Sequence, residues 1–280
     1  MNFKSRTRFF WTTIFSAALS LGAARGETIK TCEPNAFVTI GSYMVGTNYW
    51  NPRKCSGRQC LSIDNKTGQF TVTEANFTCA PDVASYPFIF TGSHFGVNSP
   101  GATLPMPLRD LKCATTSWGF TPTRTGSWDA AYDVWFSNSL STAHGFQGGA
   151  ELMIWLDYMG NVPPAGHKVG QVTLDGMGWT LWEGNVGWNY IAYLADKPVD
   201  SVKNLDLMAF IKDDLSRGYL DPDWFLAAVE AGNELRTDGV PFTSGAFSVS
   251  INQDCAKPGE MKKAAESPKK SNDAPATPAK

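Results

Sequence analysis

Hydrophobic residues alternate with polar ones over many short runs of this chain, and this period of two predicts β-strands. Clusters of Gly, Pro, Asn and Ser separate the runs, as is typical of turns. The Asp-Gly and Met-Gly steps in QVTLDGMGWTLWEG further predict a tight hairpin. The runs are FTVTEANFTC (70–79), DAAYDVWFS (129–137), ELMIWLDYM (151–159), GQVTLDGMGWTLWEG (170–184), NYIAYLA (189–195), WFLAAVEAG (224–232) and FSVSIN (247–252).

One segment, 201–217, has the three- and four-residue spacing of an amphipathic helix instead. Gly218 follows it as a C-terminal stop. Many strands and a single helix predict an all-β fold, a two-sheet β-sandwich in one domain with the helix packed on the outside of a sheet. The apolar positions of the predicted helix are Val202, Leu205, Met208, Ile211 and Leu215.

The two ends of the chain differ from this β-rich middle. Residues 1–26 carry basic residues, then an apolar run, then small residues, which is the order of a secretory signal peptide. An uncleaved membrane anchor is the alternative, although the run is short for a span of about 20 residues. Residues 256–280 are rich in Ala, Pro and Lys and have no aromatic residue, which predicts a disordered tail. The folded domain is therefore expected over 27–255.

Charge and cysteine content limit the class of protein. Residues 27–255 contain 14 basic and 23 acidic side chains, which argues against a nucleic-acid partner and favours a neutral substrate. All six cysteines follow the predicted signal peptide, and an even number in an exported chain predicts disulfides whose pairing stays open. The chain has no Cys-x-x-Cys pair and no histidine-rich cluster, so we expect neither a metal nor a cofactor.

The run ELMIWL combines an apolar strand with a carboxylate. Its aliphatic side chains share one face, whereas Glu151, Met153 and Trp155 share the other. An unpaired buried carboxylate is costly, and Met and Trp gain little from contact with water. A cleft that binds a flat, polyhydroxylated ligand explains both features. The indole would then stack on a sugar ring, and the carboxylate would sit at the reacting carbon.

Two other predicted strands carry acids that could act together with Glu151. Asp133 and Trp135 share a face, and if this strand neighbours ELMIWL, Asp133 could share a proton or a hydrogen bond with Glu151. Glu230 and Glu234 also share a face but lie roughly 13 Å apart along a strand, so only one of them can approach Glu151 closely. A glycosidase needs two carboxyl groups that flank the scissile bond. The alternative is that each acid is an ordinary polar residue at a strand edge.

Several motifs, taken in their order along the chain, resemble glycoside hydrolase family 12, a family of secreted β-jelly-roll endoglucanases and xyloglucanases. They are YDVWF, ELMIWL, GNVPPAG and EAGNE, extended by GTNYW (46–50), ASYPFIFTGSHFG (84–96), TLPMPL (103–108) and LDPDWFL (220–226). The resemblance covers nearly all of 30–252. It implies a jelly-roll β-sandwich of two curved antiparallel sheets, with an open groove that suits attack inside a polymer chain.

The resemblance also implies roles for individual residues. Glu151 aligns with the family's nucleophile, Glu234 with its general acid/base, and Asp133 with the acid that hydrogen-bonds the nucleophile. Four further residues are implied to contact substrate in the cleft: Asn48, Trp50, Met153 and Trp155. A matching amino-terminal disulfide is implied for Cys32 and Cys60, which leaves the pairing of the other four cysteines open.

These roles imply a secreted, monomeric, retaining endo-β-1,4-glucanase that acts on cellulose-like or mixed-linkage β-glucan and has no membrane association after signal cleavage. The alternatives are a xyloglucan-specific endoglucanase and a catalytically inactive carbohydrate-binding jelly roll. The sequence departs from the family at Leu235, where proline is usual, and at Glu230, where glutamine is usual. An extra carboxylate at position 230 could raise the pKa of the general acid or take over part of its role.

Overall fold

The computed structural model describes residues 26–140, 149–253 and residue 255. The predicted tail and all but the last residue of the predicted signal peptide lie outside these ranges. The described residues form seventeen strands, one 3₁₀ turn and one α-helix, and the strands form two stacked sheets. The all-β sandwich with a single helix is therefore confirmed.

The smaller sheet has six strands, and each neighbouring pair is antiparallel. With strands numbered in chain order, its spatial order is β1 (Thr28–Thr31), β4 (Gln59–Asp64), β5 (Phe70–Ala75), β17 (Phe242–Ile251), β9 (Ala114–Thr121) and β15 (Ser201–Asp206).

The larger sheet carries the cleft described below. Its order is β12 (His167–Leu174), β13 (Met177–Asn185), β14 (Asn189–Ala195), β11 (Ala150–Met159), β10 (Ser127–Ser137), β16 (Phe225–Thr237), β6 (Phe88–His94), β3 (Tyr43–Gly46) and β2 (Phe37–Ile40). The short strands β7 (Val97–Asn98) and β8 (Met106–Pro107) pair with β6 and β16, and the 3₁₀ turn Leu108–Asp110 follows β8. All neighbouring strands of this larger sheet are antiparallel except β11 and β14, which run parallel.

The core lies between the two sheets. Trp118 of the smaller sheet and Tyr132 of the larger one meet there with ring centroids 5.6 Å apart. The aliphatic face predicted for ELMIWL packs into the same core through Leu152, Ile154 and Leu156. Every residue of β10 is buried, because one face of this central strand packs in the core and the other lies beneath side chains of the cleft.

The helix is shorter than the sequence pattern predicted. The α-helix α1 runs from Leu207 to Arg217 and ends, as predicted, at Gly218 in the left-handed conformation (φ 79°). Residues 201–206 form β15 instead, and the sheet register shifts between Val202 and Leu205. This β-bulge, and not a helical turn, produces the three-residue spacing of the apolar residues Val202 and Leu205. In the described part of the chain, no helix is long and apolar enough to cross a membrane.

The predicted hairpin and the implied amino-terminal disulfide are both present. Asp175 and Gly176 both have positive φ, 48° and 79°, and they join β12 to β13 as the predicted tight hairpin. The implied disulfide between Cys32 and Cys60 is present. The remaining cysteines pair as Cys55 with Cys79 and Cys113 with Cys255.

Candidate active site

A cleft of about 930 Å³ lies on the face of the larger sheet that points away from the core. Three adjacent strands, β11, β10 and β16, supply Glu151, Asp133 and Glu234 to it. The sequence-predicted residues that line this one cleft are Asn48, Trp50, Asp133, Glu151, Met153, Trp155 and Glu234. The sandwich thus brings together acids that are far apart along the chain.

Strand pairing explains why the acids converge. On β10, Asp133 lies opposite Met153 of β11 and opposite Glu230 of β16. Trp135, two positions further along the same face, lies opposite Glu151. Because residues two apart on a strand share a face, the acidic side chains of these three strands point into the same space.

Glu151 stands at the head of β11 and is only 9% exposed. Trp188 donates a 2.6 Å hydrogen bond from Nε1 to Oε2 of this carboxyl. Burial raises the pKa of Glu151 to about 8, the bond from Trp188 opposes that rise, and the negative charge of Glu234 adds to it. The indole therefore both orients Glu151 and favours its ionised form.

Asp133 is buried beside Glu151. Burial raises the pKa of this carboxyl well above its usual range, and the charges of Glu151 and Glu230 raise it further. Among the described residues, Oδ1 of Asp133 has no hydrogen-bond partner. The two strands are neighbours, as the sequence hypothesis required, and Asp133 is placed to hold a proton within the acidic cluster.

Glu234 is held at the cleft by an arginine. Nη2 of Arg236 lies 2.8 Å from Oε2 of Glu234, and Nη1 of the same guanidinium lies 2.8 Å from Oδ2 of Asp129. Asp129 is fully buried, whereas the Glu234 side chain keeps 16% of its surface exposed. Glu234 can therefore reach a ligand in the cleft while its ion pair with Arg236 fixes its position.

A β-bulge places Arg236 over these carboxyls. Ser127 pairs with Thr237, but the next residue, Trp128, pairs with Leu235, so Arg236 is the extra residue on β16. Bulges re-aim side chains and are frequent beside active sites. The guanidinium also lies 5.6 Å from the ring centroid of Trp155, within the range of a cation–π contact.

Glu230 occupies a different environment from Glu234. It is fully buried, and its Oε1 lies 2.8 Å from Nδ1 of His94. Burial raises the pKa of Glu230, and the charge and hydrogen bond of His94 partly oppose that rise. The carboxyl that departs from the family pattern thus acts on Asp133 and Glu151 through its charge, and it is not exposed to a substrate.

The binding residues form two layers. Trp50 is 53% exposed at the cleft and offers an aromatic face to a ligand. Met153 and Trp155 are 2% and 1% exposed, so they build the floor. The sulfur of Met153 lies 3.4 Å from Nε1 of Trp155 and 3.2 Å from the hydroxyl of Tyr190. Because Trp155 is buried under Arg236, the prediction that its indole stacks on a sugar is not supported by this packing.

Sequence reasoning missed three contributors to the site. Arg236, Tyr190 and Trp188 were not predicted as site residues. Arg236 lies two residues after Glu234, so alternation alone places it on the same face of the strand. The bulge that turns its guanidinium towards Glu234 and Asp129, however, leaves no signal in the local sequence pattern. His94 was recognised only within a motif, and its partner Glu230 is 136 positions away.

Comparisons with known proteins agree on the family. The sequence model of Glycosyl hydrolase family 12 matches residues 41–252. A "probable cellulase" of Mycobacterium tuberculosis is 32% identical over 153 residues, which are 54% of this chain and 99% of that protein. A xyloglucan-specific endo-β-1,4-glucanase of Emericella nidulans is 26% identical over 84% of this chain and 97% of its own. The solved structure of a Rhodothermus marinus endoglucanase has a TM-score of 0.77 at 41% identity, covering 80% of this chain and 98% of that one.

Proposed function

Because the chain belongs to glycoside hydrolase family 12, we propose that it is an endo-β-1,4-glucanase that hydrolyses internal bonds of β-glucan with retention of configuration. The observation that carries this proposal is that Glu151, Asp133 and Glu234 line one cleft. Two carboxyl groups that flank a glycosidic bond are the minimum for this chemistry. The exposed indole of Trp50 supports binding of sugar rings at the same cleft.

In the first step, ionised Glu151 attacks the anomeric carbon while Glu234 donates its proton to the leaving glycosidic oxygen. A covalent glycosyl-enzyme forms, and the leaving sugar departs as an alcohol. Trp188 engages Oε2 of Glu151, so we assign the attack to Oε1. The hydrogen bond lowers the rotational freedom of the carboxylate before the reaction.

In the second step, ionised Glu234 takes a proton from a water molecule that attacks the same carbon. The ester bond to Glu151 breaks, the sugar leaves with its original configuration, and Glu234 is protonated again. Asp133 assists by holding a proton beside Glu151, because its buried carboxyl has a raised pKa. This limits the repulsion that Glu151 meets each time it becomes ionised.

The preferred polymer is the finer part of the proposal. Cellulose-like or mixed-linkage glucan is our first choice, since the Rhodothermus marinus protein, 41% identical to this chain, is an endoglucanase. Xyloglucan is the second candidate, because relatives named xyloglucan-specific align over 84% of this chain, a longer stretch than the 54% matched by the Mycobacterium tuberculosis protein.

We also propose that the enzyme is secreted and acts as a monomer. The signal-peptide pattern of residues 1–26 supports export, and the three disulfides suit an oxidising compartment. The acidic balance of residues 27–255 supports a neutral polysaccharide substrate and argues against nucleic acid.

The test is reducing-sugar release from barley β-glucan, carboxymethylcellulose and xyloglucan, with wild type beside Glu151→Gln and Glu234→Gln. We expect wild-type activity on at least one polymer and a loss of about 100-fold or more in each variant. The polymer hydrolysed with the highest kcat/KM identifies the substrate class. Binding of glucan without any release of reducing sugar would instead indicate a carbohydrate-binding jelly roll, and the proposal that the protein is an enzyme would be rejected.

A further inference from the structure

Asp129 is a fully buried carboxyl behind the cleft that the chemistry above does not use. It lies directly opposite Glu234 in the pairing of β10 with β16. The same guanidinium, that of Arg236, contacts both carboxyls at 2.8 Å. Two acids therefore share one cation, and the group carries a net charge of −1 unless one acid is protonated.

The free oxygen of Asp129 indicates where a proton is held. Oδ2 accepts from Arg236, whereas Oδ1 is buried and has no hydrogen-bond partner among the described residues. A buried carboxylate oxygen without a donor is costly, and protonation removes that cost. The pKa of Asp129 is raised well above its usual range, first by burial and then by the charge of Glu234, although the charge of Arg236 opposes that rise.

We propose that Asp129 and Glu234 share one proton beside Arg236, and that Asp129 is thereby the positioning residue that keeps Glu234 able to act as a general acid. This inference rests on the proposed function, in which Glu234 protonates the leaving oxygen. Without Asp129, Arg236 would pair with Glu234 alone and stabilise its carboxylate. A general acid that has already lost its proton cannot assist departure of an alcohol.

The charge balance of the reaction agrees with this arrangement. Before the first step, Glu151 is ionised and the Asp129–Glu234 pair with Arg236 is neutral. As the glycosyl-enzyme forms, Glu151 loses its charge to the ester bond, and the proton of the pair passes to the leaving oxygen. One negative charge thus moves from Glu151 to the pair, where Arg236 stabilises it until water restores the proton.

Other charged and titratable groups surround the pair and stay constant in the comparison of variants. The charges of the carboxyls act on one another and on the two neutral tyrosines, and the charge of His94 acts on Glu230. They are Asp133 on β10, Glu151 on β11, Glu230 on β16, His94 on β6, Tyr190 on β14 and Tyr86 just before β6.

The experiment compares the pH dependence of kcat/KM for wild type, Asp129→Asn and Arg236→Gln. Each protein is measured on the glucan that wild type prefers and on 2,4-dinitrophenyl β-cellobioside, whose leaving group needs no proton.

On glucan, Asp129→Asn should move the alkaline limb to lower pH by about one unit or more, because a neighbouring negative charge is lost. Arg236→Gln should move it to higher pH, because the cation that favours ionisation is lost. On the dinitrophenyl substrate, Asp129→Asn should match wild type at the pH where it fails on glucan.

Each outcome separates this inference from the proposed function. A folded Asp129→Asn protein with an unshifted alkaline limb, or with equal losses on both substrates, would overturn the shared proton. If Asp129→Asn does not fold, as judged by circular dichroism, the direction of the shift in Arg236→Gln decides instead, and a downward shift or none rejects the proposal. Inactivity of wild type on every glucan would reject the proposed function itself.

Discussion

Glu230 and Glu234 lie four residues apart on one strand, yet their surroundings assign them different tasks. Glu234 keeps a path to the cleft and is positioned by Arg236. Glu230 is fully buried against His94. The extra carboxyl therefore modifies the site through its charge, and the hypothesis that it takes over part of the general acid's role does not fit its burial.

Glu230→Gln tests this distinction between two acids of the same strand. Glutamine can still accept the hydrogen bond of His94, so we expect a folded enzyme that keeps most of its activity. Because the charge of Glu230 raises the pKa of Glu151, its removal should move the acidic limb of kcat/KM to lower pH. Glu234→Gln is the matched control and should lose about 100-fold or more on glucan. Equal losses in the two variants would contradict the assignment.

At the scale of elements, alternation predicted which faces of the strands carry chemistry, because side-chain direction along a strand follows from local geometry. Alternation could not predict the bulges. The extra residue at Arg236 depends on pairing between β10 and β16, which is a long-range contact. The same limitation explains why the helix was predicted to begin too early, since the bulge between Val202 and Leu205 imitates helical spacing.

The helix α1 also contains a carboxyl whose burial makes stability depend on pH. Asp214 is 1% exposed and accepts a 2.5 Å hydrogen bond from the hydroxyl of Tyr193. Burial raises its pKa to about 8, above the unperturbed value of 3.8. The folded state therefore binds this proton more tightly than the unfolded state, and the free energy of unfolding should fall as pH rises from about 4 through about 8.

Asp214→Asn should remove this dependence, because the amide imitates the protonated carboxyl and can still accept from Tyr193. We expect the melting temperature of the variant to exceed that of wild type by a margin that grows between pH 5 and pH 9. Asp213→Asn removes the neighbouring carboxylate, which pairs with Arg217 and raises the pKa of Asp214, so it should reduce this dependence without abolishing it. A constant difference between Asp214→Asn and wild type across this range would contradict the account.

At the scale of the whole molecule, the ordered motifs predicted the sandwich and the convergence of its acids, because that order reflects a fold shared by a family. Pairing of β11 with β10, and of β10 with β16, then follows from the topology. The sequence alone could not provide the contacts among buried polar groups, such as Trp188 with Glu151 or His94 with Glu230. Each of them joins parts of the larger sheet that are 37 or 136 positions apart along the chain, so they meet only when that sheet has formed.

The central claim is that Glu151 forms a covalent bond to the substrate. The most direct test is mass spectrometry of the protein after incubation with 2,4-dinitrophenyl 2-deoxy-2-fluoro-β-cellobioside. The fluorine slows both steps, whereas the activated leaving group permits the first, so the glycosyl-enzyme accumulates. We predict one added fluorocellobiosyl group per protein, located on the peptide that contains Glu151 and missing in Glu151→Gln. A label on Asp133 or Glu230, or release of dinitrophenol by an active enzyme without any label, would contradict the account.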